Sequence, residues 1–299
     1  MAKKSSKQNK LVTLRILAIF LVFSLLILGL VLFKQPAKPT VKQVLGQEAT
    51  QATSSATPIS NTPKPTPINL LPAQYGKSVK VPILTYHYIG NNPNPRDSMR
   101  DNLSVSPDKF ESQMNYLAQA GYSPIILDTL YGGLMGNISL PPKPIVLTFD
   151  DGYIDFYVNA YPILRRHNFH AVSFIPTGLI GQGYYLNWSQ ILEMDQSGLI
   201  SFQAHTVNHT NLTLLSPDQI KYQISESKKV LQAHLGHQVN FFAYPYGASN
   251  SLTWSTVKEA GFIGAAGTWA GDFISEETIF DMPRIKIGNW DVNTFASRI

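Results

Sequence analysis

The sequence contains no cysteine. That excludes a disulfide framework, a thiol nucleophile, a cysteine-based zinc site and a lipobox, and it fits an exported protein that needs no disulfides. Several motifs are also missing. No G-x-S-x-G supports a serine esterase, and "GQGYY" (181–185) lacks the third glycine of a dinucleotide loop. "HTVNH" (205–209) carries Thr206 where H-E-x-x-H needs its glutamate, so that metalloprotease arrangement has no base. Acidic residues are almost absent from the first 80 positions, which hold Glu48 against 11 of the 24 Lys and Arg. The remaining 219 residues carry 13 basic and 18 acidic side chains, a net of −5. The globular part is therefore acidic, and nucleic acid is not expected as a partner.

What is present at the N-terminus is charge followed by grease. Residues 1–15 carry Lys3, Lys4, Lys7, Lys10 and Arg15 and no acid, which predicts a cytoplasmic basic segment. Residues 16–33, "ILAIFLVFSLLILGLVLF", contain no charge and are long enough to span a bilayer core. No close A-x-A follows Phe33, so the reading is an uncleaved signal anchor, with a cleaved signal peptide as the alternative. Residues 34–79 change to Pro, Thr, Ser, Ala and Gln with Tyr75 as the one aromatic, a semi-extended spacer that cannot bury a core. The expected location is a single-pass cell-membrane protein with residues 80–299 outside.

Within 80–299, short apolar runs alternate with helical patterns. The strand candidates are 81–86, 144–149, 171–176, 199–204, 240–245, 262–266 and, more weakly, 284–288. Their continuous apolar character suits parallel strands covered on both faces. Ser106-Pro107-Asp108 and Ser216-Pro217-Asp218 read as helix starts, stopped by Gly121 and Gly236. Ile154, Val158, Tyr161 and Leu164 recur at helical spacing after "DDG". The fold class is thus α/β, a (β/α) barrel of about seven strands, incomplete or distorted. In such folds reactive groups collect at the C-terminal ends of strands. Those ends hold His87, the adjacent Asp150 and Asp151, the pair His205 and His209, and Tyr246.

Two neighbouring carboxylates repel and cost desolvation energy unless something offsets them. A D-G hairpin turn would explain them, but a helix rather than a strand follows. Two histidines four apart are common on solvated loops. Joined to one Asp, they give three ligands with open positions for water and substrate, the catalytic rather than the structural metal pattern. The second Asp can then serve as a general base.

"TFDDG", "HTVNH" and "FAYPYG", in this order and spacing, resemble the three leading motifs of NodB-type polysaccharide deacetylases, carbohydrate esterase family four. The resemblance covers about residues 80–299. It implies that Asp151, His205 and His209 bind a divalent metal, usually zinc, and that Asp150 is the base. It implies further that Tyr244, Pro245 and Tyr246 line the substrate pocket, with the Tyr246 backbone N–H as an oxyanion donor. Trp269, past a strand end, is a candidate sugar platform. The chain departs from the family at two places. Ala243 stands where many members have an arginine, and no histidine follows His237 to match their terminal one. Arg284 is the expected replacement, placed against Asp150. His87 is the expected general acid, the alternative being a hydrogen bond across the barrel mouth. The form without the motif arginine resembles the poly-N-acetylglucosamine branch. The expected function is N-deacetylation of an extracellular N-acetylglucosamine polymer (poly-N-acetylglucosamine or peptidoglycan). An O-deacetylase and an inactive carbohydrate-binding relative are the alternatives, and no protein partner is expected.

Overall fold

A computed structural model describes residues 78–299 except Pro95. The basic segment, the apolar run 16–33 and nearly all of the spacer lie outside the described residues. Among the described residues no helix is long and apolar enough to cross a membrane. The central sheet has eight parallel strands among the described residues, seven of them in one path: β1 (Ile83–Tyr86), β2 (Pro144–Phe149), β3 (Ala171–Ile175), β4 (Ile200–Ala204), β5 (Phe241–Ala243), β6 (Gly264–Ala266) and β7 (Ile285–Lys286), with Ser123–Pro124 pairing off this path beside β2. Their order is β6-β5-β4-β3-β2-β1-β7. The sheet curls into an incomplete barrel. Its two ends are joined by an isolated bridge between Ala266 and Met282 and by the Arg284 N–H donating to Trp269 O at 2.9 Å, so closure passes through the segment leading into β7.

The strands read as continuous apolar runs because both faces are covered. Within β2, Ile145, Leu147 and Phe149 pack outward into the main core, while Val146 joins Ile83, Val172, Phe174 and Phe241 in a second cluster inside the curl. The outer cluster is covered by helices, among them α1 (Pro107–Gln119), which buries Phe110, Met114 and Leu117. Truncating a buried Phe such as Phe110 to Ala costs about 3–5 kcal/mol. The Ser106 hydroxyl does not cap α1. It donates to Asn289 Oδ1 at 3.1 Å and ties the helix start to the segment after β7. At the start of α2 (Pro217–Leu235) Gln219 reaches back, its Oε1 accepting from the Ser216 N–H at 3.0 Å and hydroxyl at 3.1 Å, and Gly236 ends the helix at φ 78°.

Two local expectations shift. Ser78 and Val79, expected in the spacer, lie in a strand: Ser78–Lys80 pairs antiparallel with Phe273–Ser275 and buries Val79. After β2, the chain forms a π-helical turn at Phe156–Ala160 before the α-helix Tyr161–His167. The wider turn advances the phase of the buried stripe. Phe156 and Ala160 therefore face the core with Tyr161 and Leu164, and Val158 is exposed.

Candidate metal and catalytic centre

Asp150 and Asp151 leave β2 in different directions because the backbone turns sharply between them. Asp150 continues the sheet, its N–H donating to Tyr86 O at 3.0 Å. Asp151 and Gly152 then adopt left-handed conformations, at φ 73° and 69°. Asp tolerates that region better than most residues. Gly152 is required there for a second reason, since a Cβ would press to 2.8 Å from Ile175 Cδ1.

The two carboxylates end up buried in contrasting settings. Asp150 is gripped in a fork by Arg284, with Nη1 to Oδ1 at 2.8 Å and Nη2 to Oδ2 at 2.7 Å. The guanidinium is itself fully buried, and it is fixed by Gly267 O at 2.8 Å and Thr148 Oγ1 at 3.1 Å. Burial works to raise the Asp150 pKa, but the Arg284 charge and hydrogen bonds outweigh it and hold the carboxyl below its ordinary value. Arg284 thus takes the place against Asp150 that Ala243 leaves open.

Asp151 has no such partner. Its Oδ1 faces His209 Nε2 at 2.9 Å and His205 Nε2 at 3.3 Å, yet it lacks any well-formed hydrogen bond. The His205 ring explains why. Its Nδ1–H donates to Ala243 O at 2.7 Å, which leaves a lone pair on Nε2 in the neutral tautomer. An acceptor therefore faces an acceptor. The His209 imidazolium is disfavoured by burial, but Asp151 more than offsets this and raises its pKa. Asp151, His205 and His209 are a group whose ligand atoms all lie within 4.8 Å of one another. One carboxylate and two imidazoles, each with a ligand atom turned to one point, fit a divalent cation with open positions left for water.

The remaining expected site residues divide. His87 sits beside this cluster, sensing Asp150, Asp151, Arg284 and His205. Burial pushes its pKa down, and the two carboxylates only partly oppose that. Tyr246 reaches the site, its ring 4.9 Å from that of His209, on a left-handed backbone at φ 61° that costs energy for a non-glycine residue. Tyr244 and Pro245 do not line the opening, contrary to the sequence expectation. Both are buried, and the Tyr244 hydroxyl donates to Phe280 O at 2.9 Å. They support the turn that presents Tyr246. Trp269 is half-exposed and tied by its Nε1–H to Asp281 O at 2.7 Å. Sequence reasoning missed Thr148, which helps to seat Arg284, and Tyr88, Tyr153 and Tyr185, which stack beside the centre. The proximity of Tyr153 to "DDG" was the one available signal.

Comparison with known proteins agrees with this geometry. The family model described as polysaccharide deacetylase matches residues 137–265. The structure of the Streptococcus pyogenes deacetylase PplD in complex with acetate is 33% identical, with a TM-score of 0.69 over 74% of this chain and 98% of that one. A polysaccharide deacetylase from Bacillus cereus is 28% identical, with a TM-score of 0.65 over 74% of this chain and 69% of that one. The poly-beta-1,6-N-acetyl-D-glucosamine N-deacetylase of Staphylococcus aureus is 32% identical over 174 residues, 54% of this chain and 59% of that protein's length. At 33% identity over 98% of the Streptococcus pyogenes deacetylase, and with the family model matching residues 137–265, the chain belongs to the polysaccharide deacetylase family.

Proposed function

We propose that this protein is a metal-dependent hydrolase that removes N-acetyl groups from an N-acetylglucosamine-containing polysaccharide outside the cytoplasmic membrane. One observation carries the reading: a buried, unpartnered carboxylate oxygen faces two imidazole nitrogens, next to a second carboxylate held anionic by a buried arginine. Asp151, His205 and His209 would hold the ion, zinc in this proposal. When bound, it supplies a Lewis acid for the acetamide carbonyl and a lowered pKa for water.

The chain's own groups do the rest. Asp150 takes the proton from the attacking water, and its bidentate pairing with Arg284 keeps it ionised and fixes its direction. A carboxylate has about four lone-pair sites, so two contacts from Arg284 leave acceptor capacity for that proton. The Tyr246 N–H donates to the oxygen on which negative charge develops. His87 delivers a proton to the leaving nitrogen. Burial lowers its pKa, which eases release of that proton, and the proton that Asp150 takes from water restores the balance. The products are acetate and a free amine. The run 16–33 anchors the protein, and the spacer that follows it tethers the catalytic domain. The relative of Staphylococcus aureus that acts on poly-beta-1,6-N-acetyl-D-glucosamine favours that polymer as substrate.

The test is acetate release by the full-length protein from poly-N-acetylglucosamine, chitin oligomers, peptidoglycan and acetylated xylan, with and without chelator. Chelator-sensitive release from an N-acetylated polymer supports the proposal. Release from the xylan alone would make the protein an O-deacetylase. No release from any of them, with zinc bound, would overturn the enzymatic reading.

A further inference from the structure

The two histidines of the centre are held in different ways. His205 follows β4 directly: its N–H donates to Ile175 O at 3.1 Å, and its ring Nδ1–H donates to Ala243 O at 2.7 Å. Backbone and ring are both fixed. His209 lies four residues on, and among the described residues its ring has no hydrogen-bond partner besides Asp151. An imidazole without a hydrogen bond on its second nitrogen is aimed by its backbone alone. The loop that carries this backbone is strained. Thr206, β-branched and fully buried, stands at φ 69°, and His209 stands at φ 51°. The Thr206 hydroxyl accepts from the His209 N–H at 2.9 Å, a bond that closes the loop on itself.

Two other elements hold the loop in place. The turn after β3 is one: Thr177 N–H donates to Thr206 O at 3.1 Å, and Gly178 N–H donates to Val207 O at 2.8 Å. A Cβ on Gly178 would lie 2.8 Å from Asn208 Oδ1, so the approach is close. The second is Gln223 on α2, a helix packed against β4. Its Oε1 accepts from the N–H groups of both Val207 and Asn208, each at 3.0 Å. Gln223 stands in the buried stripe of α2, among Ile220, Ile224, Ser227 and Leu231. A polar side chain in such a stripe is unfavourable unless it is paired. Here its carbonyl pairs with two successive amides that lie between the two histidines. An apolar residue would complete the stripe, but it would leave both amides without this acceptor and the strained loop free to relax. We infer that Gln223 is the positioning residue for His209. One amide oxygen, carried on a helix outside the motif, fixes the loop between the two imidazoles and thereby sets where the His209 ring stands against Asp151 and His205.

The inference rests on the metal centre proposed above, and the experiment separates the two. Zinc affinity of the full-length protein is measured by competition with a chelating dye, and circular dichroism checks that each variant is folded. Gln223→Met keeps the length of the side chain and removes the acceptor. Its zinc affinity should fall about 10–100-fold, the usual effect of losing a partner that orients a metal ligand. Gln223→Glu returns an acceptor oxygen and should recover most of that loss. A helix residue that only supported the fold would lower the urea midpoint of the zinc-free protein and leave the zinc affinity of folded molecules unchanged. Wild-type affinity in Gln223→Met would therefore overturn the inference, and so would a loss that Gln223→Glu does not recover, since packing would then be the cause. If Gln223→Met does not fold, Gln223→Asn withdraws the same amide by one carbon: weakened zinc binding supports the role and unchanged binding removes it. If the wild-type protein binds no zinc, the metal-centre reading falls and this inference falls with it, whereas failure of the variants alone leaves that reading standing.

Discussion

Asp150 and Asp151 are neighbours in sequence, both buried, and differ in nearly everything else. Asp150 is electrostatically complete. Each of its oxygens has an arginine N–H, and the arginine has its own carbonyl and hydroxyl supports. Asp151 is incomplete, with an oxygen turned toward two imidazole nitrogens, of which His205 Nε2 has a lone pair to offer. The structure has therefore solved the charge problem of the first acid with protein and left the second open. Evolution of a purely structural acid pair would close both. A pair with one half open separates two tasks that chemistry must keep apart, binding a cation and moving a proton.

The comparison breaks first at the acids themselves. Asp151→Asn removes a charged ligand, so zinc stoichiometry measured by mass spectrometry or elemental analysis should fall toward zero. Acetate release should drop by the several kcal/mol that a Lewis acid supplies, on the order of 10³-fold or more. Asp150→Asn should keep one zinc per chain and lose about 10²–10⁴ in kcat, the usual share of a general base. Equal loss of zinc in both variants would show that the two acids share one role.

Arg284 comes next, because it makes Asp150 complete. Arg284→Met leaves a buried carboxylate without its cation, which should lower unfolding free energy by about 3–5 kcal/mol in urea titration. Pairing it with Asp150→Asn should recover much of that loss, since the stranded charge is gone. No recovery in the double variant would mean that Arg284 acts through packing rather than through Asp150.

The sheet was readable in advance because each strand is buried on both faces and so is apolar throughout. The runs at 81–86, 144–149 and 199–204 match β1, β2 and β4 to within two residues. The ligand set was readable because its spacing is local: two adjacent acids, and two histidines four apart. The Arg284 pairing with Asp150 was expected from the gap at Ala243 and from the likeness of "MPRIKIG" to a late motif of the same branch. What stayed hidden depends on direction. Tyr244 and Tyr246 sit two apart in one motif, but the left-handed turn at Tyr246 sends one ring into the core and the other into the open. The tyrosine stack was invisible because residues 88, 153 and 185 share no sequence neighbourhood; only the loop pairing around Tyr153 and Tyr185 brings them together.

Asp155 sharpens the comparison, with a smaller effect. Like Asp151, it has a buried oxygen with no partner, but no imidazole faces it. Its pKa accordingly moves the other way. Burial pushes it up to about 6, although the Arg100 charge and the Ile89 and Phe156 amides pull down. The sign follows from proton affinity. The folded state binds the Asp155 proton more tightly than the unfolded chain, whose ordinary value is 3.8. Its contribution to stability is therefore full below about pH 4, declines as pH rises through 6, and is a net cost above that. A shift of two units is worth at most about 3 kcal/mol, and partial solvent access reduces it to about 1–2 kcal/mol. Asp155→Asn cannot ionise. Relative to wild type it should gain that amount between pH 4.5 and pH 8 in urea unfolding, and Arg100→Gln should steepen the wild-type decline. Parallel pH profiles for wild type and Asp155→Asn would show that the carboxyl is solvated in the folded state. The contrast between the open acid that attracts a cation and the open acid that retains a proton would then fail.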